Sequence, residues 1–531
     1  METIKNMPVG IQSFSSIIEG NYVYVDKTEY IVKLEQVGLA YFLSRPRRFG
    51  KSLFISMLES YFKGRRELFC GYYIERYKEE KGLEWKEYPV LKLDLNANKY
   101  TEEEDLISIL HRHIEEWCTD YNIQLNSKDI SNMFSEIIKE IYLRQNQKVV
   151  ILIDEYDKPL LQTIDKEELN EQYRSILKGF YSVIKSCNDY IHISFLTGVT
   201  RFSKVSIFSD LNNLFDISSD REYWSICGIT EAELENNFSD HIELLSFEQK
   251  KTYKEMLEIL RKKYDGYRFS KSEERLYNPF SLLNVFKKME LGEYWFGSAT
   301  PSFMVKMFEQ RYFKMPDLEG NIEMSAREMD NYRIDYSNIA PLLFQAGYLT
   351  IKEYNAEENI YLLGFPNDEV RYAFIYYLME AYISFVPNPQ EDFSIKEFTK
   401  GMKEGDIDRV LTLTRALLSS IPYDSFGDGR IGLREQNYQT AIYLIFRLMG
   451  ERVRTEVHST KGRSDVEVET KEGIYIFEFK VGGTACKAIE QIKRKGYEVK
   501  YEGTRKRLFL IGVEINQDER TIEDWIIEQI K

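Results

Sequence analysis

The chain is poor in cysteine. Its 531 residues hold five, Cys70, Cys118, Cys187, Cys227 and Cys486, scattered, odd in number and without a C-x-x-C pair. That pattern argues against a disulfide framework and a zinc site, and it fits a reducing, cytoplasmic compartment. Histidine is equally scarce, at five residues. His111 and His113 lie two apart on a predicted helix, point to different faces, and are read as surface residues. Positive charge is the minority sign: 71 Lys and Arg stand against 86 Asp and Glu, a net charge of −15. An acidic total argues against a non-specific coat of nucleic acid but leaves room for a local basic groove. No apolar run reaches the ~18 residues that would span a bilayer, so no membrane partner is expected. No signal peptide is expected at the N-terminus, and no internal repeat or low-complexity tract stands out.

What the chain does have is length and aromatic bulk. Aromatics make up 14% of residues, with 38 Tyr and 32 Phe, enough to build large cores. The length suggests about two to four domains.

The stretch Tyr41 to Phe62, YFLSRPRRFGKSLFISMLESYF, is the most informative. An apolar run meets a basic loop and Gly50-Lys51-Ser52, after which Leu53, Phe54, Met57, Leu58, Tyr61 and Phe62 recur at helical spacing. Strand, loop, helix is the setting in which Gly-Lys-Ser cradles phosphates on backbone N–H groups and a helix N-terminus. Lys51 would reach the β- and γ-phosphates, and the Ser52 hydroxyl would hold Mg²⁺. The usual pattern is G-x-x-x-x-G-K-[ST], and here Arg45 stands at the first glycine position.

Downstream segments complete the reading. Tyr22-Val-Tyr-Val-Asp26 alternates like a short strand, although Asp26, Lys27 and Thr28 also suit a capped turn, and a helix is predicted from Thr28-Glu29. Strand candidates follow at 88–95 and at Lys148-Val-Val-Ile-Leu-Ile-Asp154-Glu155, with helices near 102–121 and 129–145 between them. A helix near 168–187 then leads into Tyr190-Ile-His-Ile-Ser-Phe-Leu-Thr197-Gly198. Continuous apolar strands alternating with helices predict a parallel sheet covered on both faces. The acids at the strand end occupy the carboxyl edge, where ligands bind in such sheets. Asp154 would hold Mg²⁺ and Glu155 would polarise an attacking water.

The segments Tyr24-Val-Asp-Lys-Thr28, Arg45-Pro-Arg-Arg-Phe-Gly-Lys-Ser52, Leu152-Ile-Asp-Glu-Tyr-Asp157 and Leu196-Thr-Gly-Val-Thr-Arg-Phe-Ser203 resemble those of the bacterial AAA-ATPase-like family. Tyr264-Asp-Gly-Tyr267 and Tyr277-Asn-Pro-Phe-Ser281 extend the likeness. That family's loop typically reads RPRRFGKS, so the missing glycine is normal within it. The resemblance implies a P-loop ATPase, ATP and Mg²⁺ as cofactors, and γ-phosphate sensing near Thr197, Thr200 and Arg201. The expected nucleotide contacts are therefore Arg48, Phe49, Gly50, Lys51, Ser52, Asp154 and Arg201.

Residues 230–400 are helical by period, with a capping box at Thr230 to Glu233 and a small hairpin over 348–364. A helical lid with a winged-helix region is the expectation, ending near Val386-Pro-Asn-Pro-Gln390. From Arg434 the predicted order is helix, three strands, helix, strand, helix. The helices are Asn437 to Met449 and Cys486 to Lys495, and the strands are Arg452 to His458, Asp465 to Glu469, Gly473 to Lys480 and Arg507 to Glu514. Glu478 and Lys480 share a strand face, and Asp465 on a neighbouring strand would converge on Glu478. Two close carboxylates suit Mg²⁺ or Mn²⁺, and a lysine beside them can stabilise charge on a phosphodiester. The pattern resembles the PD-(D/E)XK nuclease superfamily, with Ser464-Asp465 in place of the usual Pro-Asp. By that resemblance Glu435 assists the metal, and Gln491, ahead of Tyr497, orients water or phosphate. Lys487, Lys493, Arg494, Lys495, Lys500, Arg505, Lys506 and Arg507 are candidates for phosphate contact.

The expected layout is an ATPase domain over 1–230, a helical and winged-helix region over 231–400 and an αβββαβ restriction-endonuclease-like domain over 410–531. The expected function is nucleotide-gated processing of DNA or RNA. The rival is a nucleotide-switched signalling or scaffold protein whose last domain binds but does not cleave nucleic acid. The absent proline and acidic balance favour the rival, and intact Asp465, Glu478 and Lys480 favour catalysis. No arginine finger in trans can be named, which leaves the oligomeric state open.

Overall fold

The computed structural model describes residues 4–37, 40–97, 99–164, 166–201, 213–295, 320, 322–330, 340–375, 400–401, 404–419, 452–459, 462–470, 473–516 and 521–531. The chain divides into two compact units, Met1–Ala299 with Gly320–Val370, and Thr300–Glu319 with Arg371–Lys531.

The first unit opens with helices α1 (Phe14–Glu19) and α2 (Glu29–Val37). Residues 22–26, read as a strand, instead form an extended segment with one bridge, Asn6 to Tyr22. Asp26 turns the chain locally by accepting from the Thr28 backbone and hydroxyl at 2.9 and 2.7 Å, so an Asx turn wins over sheet pairing. Then come β1 (Ala40–Ser44), α3 (Lys51–Phe62), α4 (Tyr73–Lys81), β2 (Val90–Asp94), α5 (Glu103–Asp120), α6 (Ile130–Gln145), β3 (Val149–Asp154), α7 (Lys158–Gln162), α8 (Glu167–Ser186), β4 (Ile191–Gly198) and β5 (Phe215–Asp216). The five strands run parallel in the order β2-β3-β4-β1-β5.

Every residue of β1 and β3 is buried, as a sheet sandwiched between helices requires. Ile151 and Ile153 belong to a core with Ile109, Phe134, Leu177 and Phe180 from α5, α6 and α8. On the opposite face, Phe54 of α3 packs on Phe195 of β4 with ring centroids 5.4 Å apart. His113, expected at the surface, is only 8% exposed, with Nε2 3.2 Å from the Asp94 carbonyl oxygen. It lies on the same face of α5 as Ile109 and Leu110, and that amphipathic face carries it inward.

Helices α9 (Glu231–Glu248), α10 (Tyr253–Tyr264) and α11 (Pro279–Lys288) build a second core around Phe238, Leu260 and Val285. Thr230 forms the expected capping box, and Thr252 a second one. The hairpin of 348–364 belongs to a three-stranded antiparallel sheet. Its strands are β6 (Ile322–Ser325), β7 (Thr350–Asn355) and β8 (Ile360–Gly364), in the order β6-β8-β7.

The second unit contains a helix at Ile407–Ser419 and the strands β9 (Arg452–Ser459), β10 (Gly462–Glu469), β11 (Gly473–Val481), β12 (Arg507–Ile515) and β13 (Ile522–Gln529). Between β11 and β12 lies a helix, Ala485–Lys495. The sheet order is β13-β12-β11-β10-β9, with only the β11–β12 pair parallel. One expectation fails here. The helix expected to follow the last predicted strand is not formed, and 522–529 form an edge strand instead. Trp525 pairs with Val513 and Ile527 with Ile511. The unpaired backbone of β12 outweighs a short helical period. The helix expected at 437–449 and the boundary at 386–390 lie outside the described residues.

Candidate functional site

Three loops leave the carboxyl edge of the parallel sheet side by side, after β1, β3 and β4. The first is the Arg45 to Gly50 loop. Arg48 and Gly50 both take left-handed backbone, at φ +64° and +98°. Gly50 is the cap residue of α3 and has no side chain to close it, so the first N–H groups of the helix face an anion-ready space. Lys51 is 3% exposed, and its Nζ donates to the carbonyls of Arg45 at 2.9 Å and Pro46 at 3.1 Å. Glu155 Oε1 lies 3.8 Å from the same ammonium.

The loop is rigid without its usual first glycine because its side chains anchor it. Arg45 turns inward and donates to the carbonyls of Ser44, Ser218, Tyr223 and Trp224 at 2.9, 2.7, 3.2 and 3.3 Å. Its guanidinium lies over Phe269 at 4.5 Å, and burial pushes its pKa down to about 10. The Arg47 carbonyl accepts from Trp295 Nε1 at 3.1 Å. Arg48 stacks over Phe280 at 4.0 Å. Phe49 is buried edge-on against Tyr267 and Phe269, at 4.8 and 5.4 Å. Of the seven expected nucleotide contacts, Arg48 and Phe49 thus spend their side chains on the loop's support.

The second loop carries Asp154, Glu155 and Asp157. Asp154 is 5% exposed, and its Oδ1 accepts from Thr197 Oγ1 at 2.6 Å. Burial, then the charge of Glu155, raises its pKa, while hydrogen bonds from Ser52 and Thr197 oppose the rise. Because β4 lies between β1 and β3, Thr197 reaches Asp154 from the neighbouring strand end. Ser52 and Asp154 border a cavity of about 380 Å³. A hydroxyl and a buried carboxylate facing open space form a hard-oxygen donor pair that fits Mg²⁺. Asp157 is fully buried, and burial followed by Glu155 pushes its pKa up to about 6. The sequence motif assigns it no role; the signal that marks it is its place as the fourth residue of Asp-Glu-Tyr-Asp.

The third loop holds Thr200 and Arg201. The Thr200 hydroxyl donates to Asp157 Oδ2 at 2.5 Å. Arg201 Nη2 donates to Ser219 Oγ at 2.5 Å, and its Nε stands 3.8 Å from Asp216 Oδ2. The guanidinium is therefore engaged at the β5 side of the sheet.

In the second unit, β10 and β11 bring Asp465, Glu478 and Lys480 together. Asp465 Oδ2 accepts from the Phe479 N–H at 2.8 Å. Glu478 is 1% exposed, and its Oε1 receives Lys480 Nζ at 3.1 Å and Gln491 Nε2. Among the described residues, Glu478 Oε2 is buried without a hydrogen-bond partner. Burial and the Asp465 charge push the Glu478 pKa up to about 7, against the pull of Lys480. An orphaned carboxylate oxygen beside a second carboxylate fits a divalent cation. Among the described residues no group of three or more His, Cys, Asp or Glu is arranged to hold one, so water or further groups would complete the shell. Glu435 lies outside the described residues. Of the basic candidates, Lys493, Lys500 and Lys506 pair with Glu528, Glu467 and Glu469 at 2.5, 2.7 and 2.9 Å. Lys487 and Arg494 stand exposed on the helix that carries Gln491.

Two family descriptions match the chain: Predicted AAA-ATPase over residues 8–208, and PD-(D/E)XK nuclease superfamily over residues 433–525. An Azotobacter chroococcum protein, described as an uncharacterized protein in vnfD 5'region, is 34% identical over 538 residues, 99% of each chain. Among solved structures, that of the Aeropyrum pernix ORC2 protein (ADPNP-ADP complexes) is 14% identical. It covers 66% of this chain and 88% of its own, with a TM-score of 0.23. Among the described residues, no helix is long and apolar enough to cross a membrane.

Proposed function

Because the chain belongs to the family described as Predicted AAA-ATPase, joined here to a domain of the PD-(D/E)XK nuclease superfamily, we propose that its first unit binds and hydrolyses ATP with Mg²⁺, that its second unit cleaves DNA or RNA with Mg²⁺ or Mn²⁺, and that nucleotide state gates the cleavage. The observation that carries the first part is the convergence of Lys51, Ser52, Asp154, Glu155 and Thr197 at one sheet edge.

In this reading the open N-terminus of α3 and the Gly50 backbone receive the phosphates. Lys51 leaves the Arg45 and Pro46 carbonyls to meet the β- and γ-oxygens. Ser52 and Asp154 hold Mg²⁺, which supplies charge neutralisation at the phosphates. Glu155 orients water for in-line attack, and Thr197 keeps Asp154 in place. In the second unit Asp465 and Glu478 hold the cation, Lys480 offsets charge on the scissile phosphate, and Gln491 orients the Glu478 carboxylate. Exposed Lys487 and Arg494 are assigned to the nucleic-acid backbone.

Two assays separate the parts. ATP turnover should fall at least 100-fold in Lys51→Ala and in Glu155→Gln; unchanged rates would sink the ATPase. With Mn²⁺, the full chain should cut some DNA or RNA, and Asp465→Ala and Lys480→Ala should not. Cleavage indifferent to added ATP would remove the gating while leaving both activities standing.

A further inference from the structure

We propose that Asp157 is a positioning residue, one that latches the acidic turn to the end of β4 and thereby holds Glu155 over Lys51. The inference rests on the ATPase reading above.

Glu155 sits at φ +55°. A non-glycine residue in left-handed backbone is strained and persists only where its surroundings over-determine it. The surroundings here are the turn that ends β4. The Tyr156 N–H donates to the Thr197 carbonyl at 2.9 Å, and the Tyr156 hydroxyl donates to the Thr200 carbonyl at 2.9 Å. Asp157 supplies the remaining hold. Its Oδ2 accepts from the N–H of Val199 at 3.1 Å, the N–H of Thr200 at 2.6 Å and the hydroxyl of Thr200 at 2.5 Å.

The local structure predicts a different use for this carboxylate. Asp157 is the N-cap residue of α7, a position where aspartate ordinarily accepts from the first turn of its own helix. It makes no such bond. The side chain is turned across to the neighbouring strand end instead. Gly198 permits this approach: a Cβ there would stand 2.4 Å from the Tyr156 ring and 2.7 Å from Asp157 Oδ1. The two loops are thus one latch. Its opposite ends hold the two groups assigned to chemistry, Thr197 on Asp154 and Glu155 facing Lys51 at 3.8 Å. Asp157 is too deeply buried to meet nucleotide itself, so its effect passes through Glu155.

The test is steady-state ATP hydrolysis and equilibrium binding of Mg-ATP by the full chain carrying Asp157→Asn. That change keeps the shape and removes the anionic acceptor. The expected result is a kcat at least tenfold lower, with Mg-ATP affinity within about threefold of the parent. Adding Asp157→Asn to Glu155→Gln should cost little more, because both disable one group. Thr200→Val, which deletes one partner of the latch, should lower kcat about threefold to tenfold and serves if Asp157→Asn does not fold. Independent, multiplying losses in the double variant would overturn the proposal, as would a Thr200→Val or Asp157→Asn enzyme of parental kcat. Absence of hydrolysis in the parent would instead remove the ATPase reading, an outcome distinct from failure of the latch.

Discussion

Replacing Arg45 by glycine would restore the spacing of the common phosphate loop, and the structure predicts that it damages the protein. Arg45 is 1% exposed and donates to four carbonyls, two at 2.7 and 2.9 Å and two at 3.2 and 3.3 Å. Hydrogen bonds from a charged group contribute about 1.5–3 kcal/mol net when short, and their loss leaves buried acceptors unsatisfied. Taking the low end for the short pair and about half of it for the long pair gives roughly 4–5 kcal/mol. The lost stacking over Phe269 adds about 0.5–1 kcal/mol. A total near 5 kcal/mol is a large fraction of the ~5–15 kcal/mol that usually holds a domain together. At about 2–4 °C per kcal/mol it corresponds to a fall of roughly 10–20 °C in the melting of the first unit.

Calorimetry of the full chain would read the shift, and equilibrium binding would read the loop. ATP affinity should fall with stability, because the carbonyls that park Lys51 belong to Arg45 and Pro46. Arg45→Lys should recover part of the loss only, since one ammonium cannot span carbonyls at Ser218, Tyr223 and Trp224. A glycine variant that melts within about 2 °C of the parent and binds ATP at least as tightly would refute the reasoning.

Two predictions concern pH. Asp265 is 7% exposed, and burial pushes its pKa up to about 6 from the ordinary 3.8. The folded state then binds the proton more tightly than the unfolded one, so stability rises as pH falls from about 6 toward 4; at neutral pH the ionised group costs about 3 kcal/mol. Asp265→Asn should therefore melt higher than the parent at pH 7.5 and lose that advantage by pH 4; parallel melting curves across this range would refute it. In the second unit, a cation must displace the proton that Glu478 holds below pH about 7. Calorimetric Mn²⁺ affinity should weaken by up to tenfold per pH unit below that point. Lys480→Ala removes a charge that lowers the Glu478 pKa, so it should move the onset upward; an unmoved onset would exclude Glu478 as ligand.

Much of this architecture was legible in local signals. The runs Val149 to Ile153 and Ile474 to Phe477 are buried strands ending in acids, and apolar continuity followed by charge is enough to mark them. Gly50-Lys51-Ser52 announces a loop before a helix because glycine, left-handed backbone and helical period coincide within a few residues. Asp465, Glu478, Lys480 and Gln491 meet as the register of β10 and β11 and the following helix requires.

What local signals could not carry were partners chosen by distant chain. By itself the sequence determined the alternation of strands and helices, the phosphate-loop motif and the acids at the strand ends, since each depends on residues within one turn or one pleat of each other. Only the tertiary structure decided that Arg45 is a buried strut whose partners lie over 170 residues away in the chain. It decided as well that 522–529 adds a strand to β12, and that Asp157 abandons its own helix for the end of β4. The physical reason is common to all three. A buried cation, an edge backbone and a buried carboxylate are each satisfied by whichever acceptor or donor the packed fold brings within about 3 Å, and spacing along the chain does not encode that neighbour.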